Sequence, residues 1–106
     1  YQYHFVKISA NNTVTVCTGA TDRAIGILQN EPSAAGQVAR VRIMGISRVY
    51  VGTAGLAVAT TVGTDSSGHA VAKTLDKAWI NGICVQSGLT TETASMILYP
   101  PRTLSV

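Results

Sequence analysis

Ionised side chains are scarce in this sequence: Asp, Glu, Lys and Arg make up 12% of its 106 residues, about half the usual share for a soluble domain. A monomer so poor in charge has little to hold its neighbours off, so extensive protein contacts are expected in its working state. The formal charge of +3 is too mild for a basic or an acidic tail. Cysteine is nearly absent too. Cys17 and Cys84 lie 67 positions apart and belong to no Cys-x-x-Cys or metal-spaced set, so they are expected as two reduced, buried thiols rather than a disulfide or a metal framework. No apolar run reaches the ~18 residues that cross a bilayer as a helix. No basic start followed by an apolar core marks a secretory leader, and no membrane partner is expected.

What the sequence does hold is β-branched. Valine and isoleucine number 20 against 8 leucines and methionines, and 13 threonines add to the excess. Such side chains are stiff at χ1 and pack well on a pleated surface, which favours strands. Ten glycines punctuate the chain at turn-like intervals. The expected fold is a single all-β domain over residues 1–106, with at most one short helix and with residues 1–8 as a candidate N-terminal arm.

Strand signals recur along the chain. Residues 3–9 and 13–18 alternate across the turn Ala10-Asn11-Asn12, as a hairpin does. Residues 24–29 form an apolar strand, and residues 30–36 form a turn stiffened by Pro32. Across 37–45, Val41 and Ile43 are expected to point one way and Arg40 and Arg42 the other. Across 46–51, Val49 and Val51 oppose Arg48 and Tyr50. At most one short helix, limited to about two turns, fits near residues 54–61, where Ala and Leu cluster. Two short strands flank the turn Asp65-Ser66-Ser67-Gly68, and residues 79–86 pair with 94–99. Pro100-Pro101 is expected to end that pairing, because proline has no N–H to donate. The shape of 24–43 is echoed in 80–98. Gly26 and Gly82 take equivalent places inside apolar strands, where glycine marks a bulge or a close backbone approach. Two such hairpins beside a central ribbon suggest a closed or semi-closed β structure.

No catalytic constellation emerges. His4 and His69 are 65 positions apart without a second ligand type at metal spacing, and His69 reads as a solvated strand-end residue rather than a zinc ligand. Neither Asp22 with Glu31 nor Asp65 with Asp76 sits in an acid/base setting. Ser66 and Ser67 lie in a turn rather than a nucleophile elbow. The run 63–68 lacks the lysine and the helix of a phosphate loop. No enzyme, cofactor or metal is expected.

Two features point to a partner instead. No acidic residue occurs between Glu31 and Asp65, so Arg40, Arg42 and Arg48 make a positive stretch. Outward arginines that keep a sheet soluble, bidentate contacts to carboxylates of a neighbouring subunit, and nucleic-acid contact beside Tyr50 are its three readings. The arm Tyr1–Phe5 holds three of the six aromatic residues. It is either an ordinary first strand or an arm that adds to a partner, with Tyr1, Tyr3 and Phe5 as anchors.

In order along the chain come Gly26-Ile27-Leu28, then Ala35-Gly36-Gln37-Val38 leading into Val41-x-Ile43-x-Gly45. Ala57-Val58, then Val62 through Ala70 (VGTDSSGHA), and Asn81-Gly82-Ile83-Cys84 follow, closing in an apolar strand before Pro100. This progression over about residues 24–99 resembles the small capsid cement, or head decoration, proteins of tailed phages. The resemblance implies a lambda-type fold, a β-clip or tulip-shaped domain ending in an incomplete barrel. It also implies attachment, typically as a homotrimer, to the major capsid protein on the outer surface of the virion head, stabilising the shell against packaged DNA. The competing reading is a small β-barrel module that binds nucleic acid or another ligand.

Overall fold

The structure is a computed structural model and describes residues 2–11, 13–30, 38–52, 55–74, 78–89 and 92–104. Among these residues there is no helix, and nine strands form two antiparallel sheets. The first sheet comprises β1 (Phe5–Ala10), β2 (Thr13–Val16), β3 (Gly26–Leu28) and β4 (Val41–Arg42), in the order β2-β1-β3-β4. The second comprises β5 (Gly45–Tyr50), β6 (Thr61–Thr64), β7 (Ala70–Ala72), β8 (Trp79–Gln86) and β9 (Thr93–Thr103), in the order β5-β9-β8-β6-β7. The all-β class read from composition is the class observed.

Both sheets turn one face onto a shared core in which Phe5, Cys17 and Ile27 meet Val49, Val62, Met96 and Leu98. Among the described residues no closed barrel forms. The second sheet does curl far enough for Val51 to bridge Ala70 in parallel, with the Gly52 N–H donating to the Ala70 carbonyl at 2.9 Å. Its first and last strands therefore meet at one end. Asn81 ties the sheets from inside: its Nδ2 donates to the Ala24 carbonyl at 2.8 Å.

The two echoed glycines are close-approach sites. A Cβ on Gly26 would lie 2.3 Å from the Arg42 carbonyl oxygen, and one on Gly82 would lie 2.0 Å from that of Ile97. Real Cβ atoms do not come so near backbone, so each hairpin needs its glycine. The hairpin β1–β2 and the pair β6–β7 around Asp65-Ser66-Ser67-Gly68 also form where alternation places them.

Among the described residues the one short helix allowed for does not form, and two expectations are corrected. Within 54–61, Ala54 lies outside the described residues and the rest forms no helix: Gly55 and Ala59 take φ of 70° and 67°, left-handed values that a right-handed helix does not contain. Leu56 instead bridges Gly88 and is buried. The strand expected over 37–45 contracts to Val41–Arg42, with Gln37 outside the described residues. Gly45 at φ 96° then redirects the chain into the second sheet. Val41 is only partly covered, and Ile43 is exposed. Finally, Pro100-Pro101 does not end the last strand. Pairing resumes at Ile80↔Arg102 and Trp79↔Thr103 across an irregularity between Ile80 and Gly82. The prolines sit where the ladder asks for no donor, and beyond Leu98, where β5 has already ended.

Candidate functional site

Two of the three anchors expected at the N-terminus, Tyr3 and Phe5, are part of the fold. Tyr1 lies outside the described residues. Tyr3 takes the left-handed conformation at φ 64°; its N–H donates to the Leu28 carbonyl at 2.7 Å and its carbonyl accepts from the Tyr50 N–H at 2.8 Å. One residue thus stitches β3 to β5, and so the first sheet to the second. Phe5 is 0% exposed, its N–H bonded to the Gly68 carbonyl and its carbonyl to the Cys17 N–H. Residues 5–8 belong to β1 rather than to a projecting arm, and Phe5 is a core residue, not a surface anchor. Chain-end position suggested freedom, but the ring has nowhere drier to go than the space between the sheets.

The arginines are all exposed, on two different edges. Arg40 precedes β4 and Arg42 lies on it, at the edge of the first sheet, whereas Arg48 lies on β5, at the edge of the second. Among the described residues no carboxylate pairs with any of them. The ion pair present among the described residues is Lys7 with Asp22 at 2.8 Å, and the His69 ring lies 3.8 Å from the Asp65 carboxylate.

Arg48 shares its face with an apolar surface. On β5 the inward residues are Ser47 and Val49, and the outward ones are Ile46 and Arg48. Register places Ile46 opposite Ile97 on β9, and Ile97 opposite Ile83 on β8. Three isoleucines, 62%, 45% and 43% exposed, therefore form one row across three strands. Val51 N–H bonds to the Glu92 carbonyl, so by alternation Ile46 and Ile97 form a non-hydrogen-bonded pair, the closer kind, with side chains in contact reach. Arg48 sits opposite Ser95 beside this row. The sequence carries a signal for this row: Ile46 is in phase with Arg48, and Ile83 and Ile97 are each out of phase with a core neighbour, Cys84 and Met96.

A second grouping was not legible at all. The His4 ring stacks on Tyr50 at 5.0 Å and 19°, and His69 lies 4.8 Å from both rings. The turn delivers His69: the Asp65 carboxylate accepts from the N–H groups of Ser67 at 2.8 Å and His69 at 2.9 Å. His69 is thus half-buried against two rings rather than a freely solvated strand end. Among the described residues, no group of three or more His, Cys, Asp or Glu side chains is placed to hold a metal.

Cys17 and Cys84 are free and buried. Burial pushes the Cys17 thiol up to about 11, against the opposing pull of a hydrogen bond with Thr64. The Cys84 thiol is also raised by burial, with the Gln86 carbonyl as its hydrogen-bond partner at 3.2 Å. Protonated, enclosed thiols of this kind pack as small apolar groups and make poor nucleophiles. No protein-family model, curated protein or solved structure matches the chain.

Proposed function

We propose that the chain is a capsid cement protein of the tailed-phage kind, binding the outer surface of an assembled head as a homotrimer and stabilising it. The observation that carries this reading is the row Ile46–Ile97–Ile83. Exposed apolar rows are rare on soluble monomers unless a partner covers them. Arginine is enriched at protein interfaces and suits carboxylates of a facing subunit, and Arg48 borders the row with no carboxylate of its own among the described residues. Low overall charge and the order of motifs along the chain support the same reading. Contact then runs through the sheet face rather than through an N-terminal arm.

Cosedimentation of the purified protein with expanded, undecorated phage heads tests the proposal. Ile97→Asp is expected to abolish head binding and, because Ile97 is 45% exposed, to leave the melting transition near that of the unaltered chain. Neutralising Arg40, Arg42 and Arg48 together should weaken binding less and flatten its salt dependence. A protein that does not sediment with heads, or an Ile97→Asp chain that decorates them as tightly as the original, would sink the reading. Salt-sensitive capture of a single-stranded oligonucleotide would favour the barrel-type binding module instead.

A further inference from the structure

A cleft of about 560 Å³ opens between the two sheets on a surface separate from the isoleucine row, lined by Ile8, Arg23, Ile25, Ile43, Pro100 and Pro101. Ile8 belongs to β1, Ile25 leads into β3, Ile43 joins β4 to β5, and the prolines lie in the extension of β9. Both sheets therefore build its walls. We infer that this cleft docks an extended segment of a partner protein in which apolar side chains alternate with carboxylates.

Three features define that occupant. The walls are apolar and stiff: isoleucine is restricted at χ1 and proline at φ, so little freedom is lost when a segment settles between them. Ile8 and Ile43 are 65% and 55% exposed, leaving apolar area for a ligand to cover. The proline wall offers no N–H, so recognition there rests on side chains rather than on adding a strand.

The third feature is charge. Arg23 is held with its guanidinium 4.9 Å from the centre of the Trp79 ring, an arrangement that fixes the long side chain before any ligand arrives. Among the described residues no carboxylate pairs with it, and its neighbour Asp22 is engaged by Lys7 at 2.8 Å. Arg102, next to Pro101, lies over Tyr99 at 5.3 Å. Among the described residues no acidic side chain lines the cleft, so a carboxylate is the group Arg23 is prepared to receive. A nucleic acid fits less well, because each of these two aromatic rings already carries an arginine on one face, which a stacking base would have to displace or share.

The proposal goes beyond the cement reading and does not rest on it, since its test contains no phage heads. The probes are three terminally blocked pentapeptides in which valine alternates with glutamate, glutamine or lysine, titrated into the isotope-labelled full chain and followed by amide NMR shifts. The glutamate peptide is expected to shift the amides of Ile8, Arg23, Ile25 and Ile43. It should bind about tenfold more tightly than the glutamine peptide, the size of one charge-assisted contact, and the lysine peptide should bind more weakly than either. Arg23→Gln should erase the preference for glutamate over glutamine. Ile8→Gln, at a largely exposed position, should weaken both peptides while the same spectra report an intact fold. Equal binding of the glutamate and glutamine peptides would overturn the inference. So would shifts confined to Ile46, Ile83 and Ile97, or no shift at about 5 mM peptide, the edge of measurable affinity.

Discussion

Removing residues 1–5 should unfold the domain rather than merely free a surface. The segment 3–5 takes part in five backbone hydrogen bonds: Tyr3 with Leu28 and Tyr50, His4 with Leu28, and Phe5 with Gly68 and Cys17. Each contributes about 1 kcal/mol net. Loss of a buried Phe ring costs about 3–5 kcal/mol with its cavity, and Phe5 is 0% exposed. Together these reach on the order of 8 kcal/mol, comparable with the ~5–15 kcal/mol that holds an entire domain. The milder Phe5→Ala variant separates the ring from the backbone bonds. At about 4–8 °C per kcal/mol for a domain of this size, it should lower the melting temperature by at least about 12 °C. Trp79, the single tryptophan, gives a fluorescence signal for urea or thermal unfolding, and far-UV circular dichroism gives an independent one. A truncated chain that unfolds cooperatively at nearly the midpoint of the intact protein would refute the reasoning.

Thiol titration at neutral pH should find neither Cys17 nor Cys84 reactive in the folded protein and both reactive in urea. Fast labelling of the folded chain would contradict the burial that raises both thiols. Gly82→Ala should lower the urea midpoint by more than the typical single substitution, whose cost is about 1 kcal/mol, since its Cβ would meet a carbonyl oxygen at 2.0 Å; an unchanged midpoint would show that the hairpin can open. Asp22 is held below its ordinary value of 3.8, first by Lys7 and then by the Thr18 N–H. Its contribution is therefore present above pH ~4 and lost as pH falls through the lowered value. Asp22→Asn should thus be less stable than the original at pH 6, with the gap closing on acidification; a gap that widened would reverse the sign.

The sequence made faces legible more readily than it made coverage legible. Alternation placed Val49 and Val51 inward and Arg48 outward because a strand's period of two is a property of the backbone. Gly26 and Gly82 could be read because only glycine tolerates backbone at such range. Alternation says nothing about whether a face is covered, however. Ile43 and Ile46 look like core residues in the sequence and lie on the surface. The meeting of His4, Tyr50 and His69 depends on how a chain end, an edge strand and a distant turn pack together, which no local pattern encodes. The stop expected at Pro100 failed for a related reason. The rule concerns missing donors, and the irregular register there asks for none.

The position of β9 has a consequence for the making of the protein. It is bonded to β5 on one side and β8 on the other, so β5 has no neighbour in the second sheet until β9 exists. Between the end of β5 and the start of β9 lie 42 residues, which take a ribosome roughly 2–8 s to add. Hairpins β1–β2 and β6–β7 need no such wait. Throughout that interval β5 and the residue after it present Ile46, Val49 and Val51 with no strand to receive them, a run of the kind that recruits other nascent chains. Arg48 stands in its midst, a charge that discourages such pairing. Its earliest service is to the unfinished chain, before any folded surface exists for a partner to meet.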